Sequence, residues 1–168
     1  MMTVPVLPQW VRWACAAACA AALAGCAVPE WQKLGTPAGQ VAHDMGQPHV
    51  RSTLPDGGQR WIYSRQPMGQ EVFQFDFDSA QRLVSVRQVL QAADFYQLKV
   101  GEDTQDVVYR YFGAPALVER VGNFHGDIWT YRMRENGGDR QAHVFLDPQK
   151  VVQRVMFTDE LRNDDQRD

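Results

Sequence analysis

Apolar and polar positions follow three different rhythms along this chain. Trp13 through Ala24 is an unbroken run of small and apolar residues, preceded by a single charge, Arg12. At twelve residues it falls well short of the ~20 that a helix needs to cross a bilayer. Further on the spacing turns helical. Val41 and Met45 stand four apart, as do Val108 and Phe112, so each pair shares one face of a predicted helix. A polar opening precedes each pair, Thr36-Pro37 or Glu102-Asp103-Thr104, and supplies an N-cap and a first-turn residue. Gly46 or Gly113 ends each helix, with proline two positions on.

After each helix the period becomes two. Strands are predicted over 49–54, 59–65, 73–77 and 82–88, then over 117–122, 127–133, 141–146 and 151–157. Asp56-Gly57-Gly58, Gln66-Pro67-Met68-Gly69 and Asn136-Gly137-Gly138-Asp139 are the turn signals between them. Phe73, Phe75 and Phe77 point to one side of their strand, and Ala142, Val144 and Leu146 form the counterpart row. Both rows are the expected core face beneath the helices. Residues 89–98, apolar at Leu90, Ala93 and Leu98, read as a short connecting helix, and the tail from Arg162 is charged.

The two stretches are internally similar. Val41/Val108, Met45/Phe112, Gly46/Gly113 and Pro48/Pro115 coincide, then Trp61-Ile62-Tyr63 and Trp129-Thr130-Tyr131, then Asp78 and Asp147, at offsets of 67 to 69. The expected fold is therefore α+β: two tandem repeats, each a short helix plus an antiparallel four-stranded meander, with helices on one face of the sheet. The two copies form either two sheets or, joined edge to edge, one; the joined sheet is favoured, because it disposes of exposed edge strands.

The N-terminal run ends in Leu23-Ala24-Gly25-Cys26, which resembles a bacterial lipoprotein processing site. That resemblance implies cleavage before Cys26 and acylation of its thiol and amine. Ala27, where an aspartate would signal inner-membrane retention, implies an outer-membrane destination facing the periplasm. The divisions expected are a signal peptide (1–25), a lipidated N-terminus and tether (26–34), two repeats (35–98 with the connecting helix, and 99–161) and a charged tail (162–168). Trp31, in the tether, either lies at the membrane interface or packs on the body.

The pattern T-x-x-x-V-x-x-x-F-G-x-P, carried best by Thr104 through Pro115 and followed by W-x-Y and a strand-end aspartate, resembles the SmpA/OmlA (BamE-like) family of outer-membrane lipoproteins. The first copy departs from it, with one extra residue between Thr36 and Val41 and methionine for phenylalanine. The resemblance implies an accessory role in outer-membrane β-barrel assembly, through contacts with other envelope proteins. A tandem pair of such units is similar to the β-lactamase inhibitor protein. That likeness implies the alternative, a periplasmic module clasping one partner or enzyme on a concave two-repeat sheet.

Composition matters chiefly after processing. Of the three cysteines, Cys15 and Cys19 leave with the signal peptide and Cys26 is acylated, so no disulfide or thiolate chemistry is expected. Loss of Arg12 moves the formal charge from −3 to −4, and no basic block marks a nucleic-acid surface. Neither an enzyme nor a cofactor is expected. His43, His49, His125 and His143 show no metal-ligand spacing, and no nucleophile elbow, phosphate loop or dinucleotide fingerprint is present. His43 and His143 are expected to face solvent. Asp76 and Asp78 share a strand face, but Asp78 and Asp147 sit where strands end and read as turn residues.

The candidate partner-binding residues are aromatic. Trp61 and Tyr63, like Trp129 and Tyr131, are two apart and share a face. Opposite the helices they form an open strip suited to protein contact; beneath the helices they are core. Tyr109 and Tyr111, flanking the helical core positions, are a second candidate surface.

Overall fold

The structure is a computed structural model that describes residues 29–160. The expected signal peptide, Cys26 with its expected acylation, and the charged tail (162–168) lie outside the described residues. Following a 3-10 turn at Pro29–Trp31 come helix α1 (Ala38–Met45) and strands β1 (Val50–Thr53), β2 (Gln59–Ser64), β3 (Val72–Phe77) and β4 (Leu83–Gln88). A short helix α2 (Ala92–Phe95) leads to α3 (Gln105–Phe112) and strands β5 (Leu117–Glu119), β6 (Asp127–Glu135), β7 (Gly138–Leu146) and β8 (Val152–Asp159). The strands form two separate four-stranded antiparallel sheets, ordered β1-β2-β3-β4 and β5-β6-β7-β8. The fold is α+β.

Both longer helices bury their valine, Val41 and Val108, completely. Their first N–H groups are satisfied by a turn of the sheet and not by a capping side chain. Ala38 N–H donates to the carbonyl of Gln81 (2.9 Å), and Gln105 N–H to that of Lys150 (2.8 Å). Gln81 and Lys150 both have left-handed φ, 60° and 67°, which turns those carbonyls toward the helix start. Thr104 stands at the N-cap of α3, but its hydroxyl makes no cap bond, and the corresponding place before α1 is held by Pro37. The expected threonine caps are thus replaced by backbone.

The helix ends are matched as well. Gly46 and Gly113 have φ of 79° and 74°, where a side chain is strained. Tyr63 Oη donates to the Gly46 carbonyl at 3.0 Å, and Tyr131 Oη to the Gly113 carbonyl at 2.9 Å. Two turn aspartates do parallel work: Asp78 Oδ1 accepts from Arg82 N–H (2.8 Å) and Asp147 Oδ1 from Val151 N–H (2.9 Å). Asn136 and Gly137, with φ of 52° and 80°, make the tight β6–β7 hairpin that two left-handed residues allow.

Strand register then decides which residues meet. Trp61 pairs with Phe75 and Tyr63 with Phe73, so these four and Phe77 lie on one face, under α1 with Ala38 and Val41. On the opposite face of the same sheet lie Val50, Ile62 and Val72, which pack against α3, α2 and the second sheet. Phe95 stacks on Phe112 with centroids 4.2 Å apart and also meets Tyr131. Trp129, Tyr131, Met133, Ala142, Val144 and Leu146 close this larger core from the second sheet. The layers run α1, first sheet, α3 with α2, second sheet.

Two expectations change here. The sheets are not joined edge to edge but stacked with α3 between them, and the first sheet carries helices on both faces. The physical reason is the second apolar row of the first sheet, Val50, Ile62 and Val72, which must also leave water. The connecting helix is also shorter than 89–98, spanning only Ala92–Phe95; of its three apolar positions Leu90 and Leu98 are buried and Ala93 is exposed.

Candidate protein-contact surface

The aromatic pairs do not form an open strip. Trp61, Tyr63, Trp129 and Tyr131 are all buried on the helix side of their sheets, which corrects the surface reading of these four. Their alternation partners face the other way, and the helices sit over the larger apolar rows. Burial also shows in the phenols. It pushes the Tyr63 hydroxyl up to about 12, against the opposing pull of Arg51, and that of Tyr131 well above its usual value. Both remain neutral donors to the helix-end carbonyls. Trp61 keeps its Nε1–H bonded to Gln59 Oε1 (2.8 Å), with the Arg51 guanidinium 4.5 Å from the ring centroid.

Tyr109 and Tyr111 are exposed on α3 and do not join the tryptophans. The Tyr111 carbonyl accepts from Gln74 Nε2 (3.0 Å), and its ring lies 5.7 Å from the Arg60 guanidinium. Arg60 itself is held by Asp76 through two bonds of 2.7 Å. That ion pair raises the Arg60 pKa further, against the effect of burial. Asp76 is therefore partnered on the face where α3 docks.

The surface the sequence did not mark is the outer face of the second sheet. Register places Leu117, Thr130, His143 and Met156 in one row across its four strands, and Glu119, Ile128, Phe145 and Arg154 in the next. Leu117 is 50% exposed and Met156 42%. Between them Thr130 Oγ1 bonds His143 Nδ1 (2.9 Å), and Thr158 Oγ1 bonds His143 Nε2 (2.9 Å). Burial lowers the His143 pKa, with the charge of Glu119 acting the other way. His143 does leave the core row, as its alternation predicts, but it is half-buried and bonded at both nitrogens. Phe145 is shielded by Phe124, edge-on with centroids 5.1 Å apart, and by the Arg154 guanidinium 3.9 Å from its ring centroid. Only Thr130 and His143 among these were visible as polar breaks in an apolar alternation; Leu117 and Met156 carry no motif.

The corresponding face of the first sheet is covered. Val50, Ile62 and Gln74 hold the places of Leu117, Thr130 and His143 relative to the aromatic row, and there the end of α3 is seated. A Cβ at Gly113 would sit 3.4 Å from Ile62 Cγ2, which measures how closely that helix end approaches.

A groove of about 580 Å³ opens at the end of the second sheet, lined by Arg120, Val121, Phe124, His125, Asp127 and Lys150 among others. Asp127 receives Arg120 Nε at 2.6 Å and the Lys150 ammonium on its other oxygen. The Lys150 bond, then the Arg120 bond, hold its carboxyl below the usual carboxylate range. The carboxylate engages both cations, so the triad closes the β5–β6 loop onto the β7–β8 turn. Among the described residues, no three His, Cys, Asp or Glu side chains converge as a metal site, and no helix is long and apolar enough to cross a membrane.

No family model and no curated protein sequence matches the chain. Solved structures with some likeness include a DUF4309 family protein of Bacillus subtilis, 18% identical over 74% of this chain and 79% of that one, with a TM-score of 0.32. A cysteine-rich secretory protein of Staphylococcus aureus is 15% identical over 76% of this chain and 44% of that one, at a TM-score of 0.29. An extracellular protein of Bacillus anthracis containing an SCP domain is 13% identical over 78% of this chain and 51% of that one, also at 0.29. Scores at this level do not establish a shared fold.

Proposed function

We propose that this chain is a non-catalytic, lipid-anchored protein of the outer membrane, facing the periplasm. It acts as an accessory scaffold in β-barrel assembly or envelope integrity, through contacts with other envelope proteins. The two helix-plus-meander units are read as tandem copies. The matched tyrosine–glycine bonds, turn aspartates and backbone helix starts support that reading. The SmpA/OmlA-like pattern supports the assignment at the level of sequence only. Its residues have folding jobs: Val108 and Phe112 are core, and Gly113 ends the helix where Ile62 comes close.

The single observation that carries the contact reading is the outer face of the second sheet, on which none of the described helices packs and where exposed Leu117 and Met156 flank His143, although Thr130, Ile128 and Phe145 on it are buried. In the first unit the same face takes a helix. The partner that fits is therefore an amphipathic helix with apolar side chains four apart, laid across β5 to β8. The inhibitor-like alternative needs one continuous concave sheet, and the two stacked sheets do not favour it.

Affinity capture of the tagged lipoprotein from detergent-solubilised outer membranes tests the proposal, with Cys26→Ala as control. Barrel-assembly subunits recovered in near-stoichiometric amounts support scaffolding. Their absence, together with a clean deletion that leaves sensitivity to detergents and large antibiotics unchanged, overturns it.

A further inference from the structure

We infer that the first unit is seated directly on the membrane surface, with Trp31 entering the lipid interface beside the anchor. The inference rests on acylation of Cys26. It concerns what the tether does once that anchor is in place.

The tether is short and pinned. Pro29 is buried, where it helps line a small recess with Met45, His49, Tyr63 and Phe73. The segment is then held along its length. Gln32 N–H closes the turn onto the Pro29 carbonyl (3.2 Å), Thr36 Oγ1 donates to the Lys33 carbonyl (2.7 Å), and Gly35 N–H donates to the Leu83 carbonyl (2.7 Å). Only Ala27 and Val28 separate Cys26 from Pro29. Three Cα steps reach at most about 11 Å, so the docked Pro29 cannot stand far from the acylated residue. A long flexible tether would let the body float free of the bilayer; this one does not.

What the pinned segment displays is apolar. Trp31 is 78% exposed and Leu34 67%. An indole held outward close to a lipid anchor suits the headgroup boundary, where an amphipathic ring has both its environments. Charge adds little, because Glu30 and Lys33 beside Trp31 are of opposite sign and Arg65, at the same recess, is paired with Glu71. The occupant is therefore a lipid surface, and zwitterionic lipid suffices.

The protein carries its own reporter. Of five tryptophans, Trp10 and Trp13 lie in the leader, while Trp61 and Trp129 are buried, which leaves Trp31 as the exposed indole. The full mature lipoprotein is reconstituted into phosphatidylcholine vesicles with and without bromine on the acyl chains. The expected result is loss and blue shift of the Trp31 emission in brominated vesicles, with no such loss in Trp31→Phe. Acylated protein whose Trp31 emission is unquenched and open to aqueous acrylamide overturns the seat alone. A mature N-terminus whose measured mass lacks acyl chains overturns the anchor and the seat together.

Discussion

The hydroxyl of Tyr131 donates to the carbonyl of Gly113 at 2.9 Å, at the point where α3 ends. The bond is buried and stands between the second sheet and the helix that also supports the first. Removing the hydroxyl while keeping the ring leaves that carbonyl without its phenol partner. Tyr131→Phe is expected to cost about 1–3 kcal/mol. Tyr63→Phe, whose bond to Gly46 is only partly buried, should cost less. Urea unfolding of the two variants, compared at equal m-value, checks the order. Equal losses would mean that burial does not set the strength of these bonds.

The same two helix ends separate backbone strain from close approach. Gly46 and Gly113 share a left-handed φ, but a Cβ at Gly46 meets nothing within 4 Å, while one at Gly113 lies 3.4 Å from Ile62 Cγ2 and 3.7 Å from Ser64 Cβ. Gly46→Ala should cost about 1 kcal/mol, from the backbone alone. Gly113→Ala should cost about the same, because contacts of 3.4 and 3.7 Å are van der Waals distances that leave α3 in place. Thermal unfolding of the two single variants checks this, and a distinctly larger loss at Gly113 would mean that the docked helix end has no room for a methyl group.

His143 makes stability respond to pH. Its pKa is lowered by burial, so the native state favours the neutral ring. That contribution is fully present above the unfolded value of about 6.5 and is lost as pH falls through the lower folded value. The urea midpoint should therefore decline as pH falls below about 6.5. His143→Gln, which places the amide that Gln74 carries in the first sheet, should flatten this part of the profile. An unchanged slope would place the pH response elsewhere.

Much of this architecture was legible in residue spacing. Alternation located all eight strands, the glycines marked the helix ends, and Phe73, Phe75 and Phe77 fell on the core face as their period required. The stacking was not legible, for a reason visible in β2. Trp61, Ile62 and Tyr63 are all buried, so this strand is covered on both sides, and a reading that seeks one apolar face finds only the aromatic one. β6 differs at the matching place, with Thr130 between Trp129 and Tyr131. Both side chains are buried, but Ile62 lies against the end of α3 whereas Thr130 is bonded to His143 within its own sheet. The aromatic pairs drew attention as contact residues because large side chains look the same in a core and at an interface. Leu117 and Met156 escaped notice because single exposed apolar residues on a mixed sheet face have no periodic signature.

Leu117 and Met156 give the last prediction, and it bears directly on the contact reading. Both are close to half exposed in the free protein, so replacing each with glutamate removes little native packing. Stability should shift by only about 0.5 kcal/mol per site. A partner helix laid across the second sheet would bury both side chains, and there the same change places two carboxylates in a desolvated contact. Losses at such positions reach about 2 kcal/mol or more, roughly a thirtyfold weakening. The pair Leu117→Glu with Met156→Glu should thus unfold like the parent, yet retain far less of the barrel-assembly subunits in the capture experiment. Tyr109→Ala, an exposed aromatic on α3 outside that face, is the control expected to retain them. Loss with Tyr109→Ala and retention by the double variant would move the contact surface from the second sheet to α3.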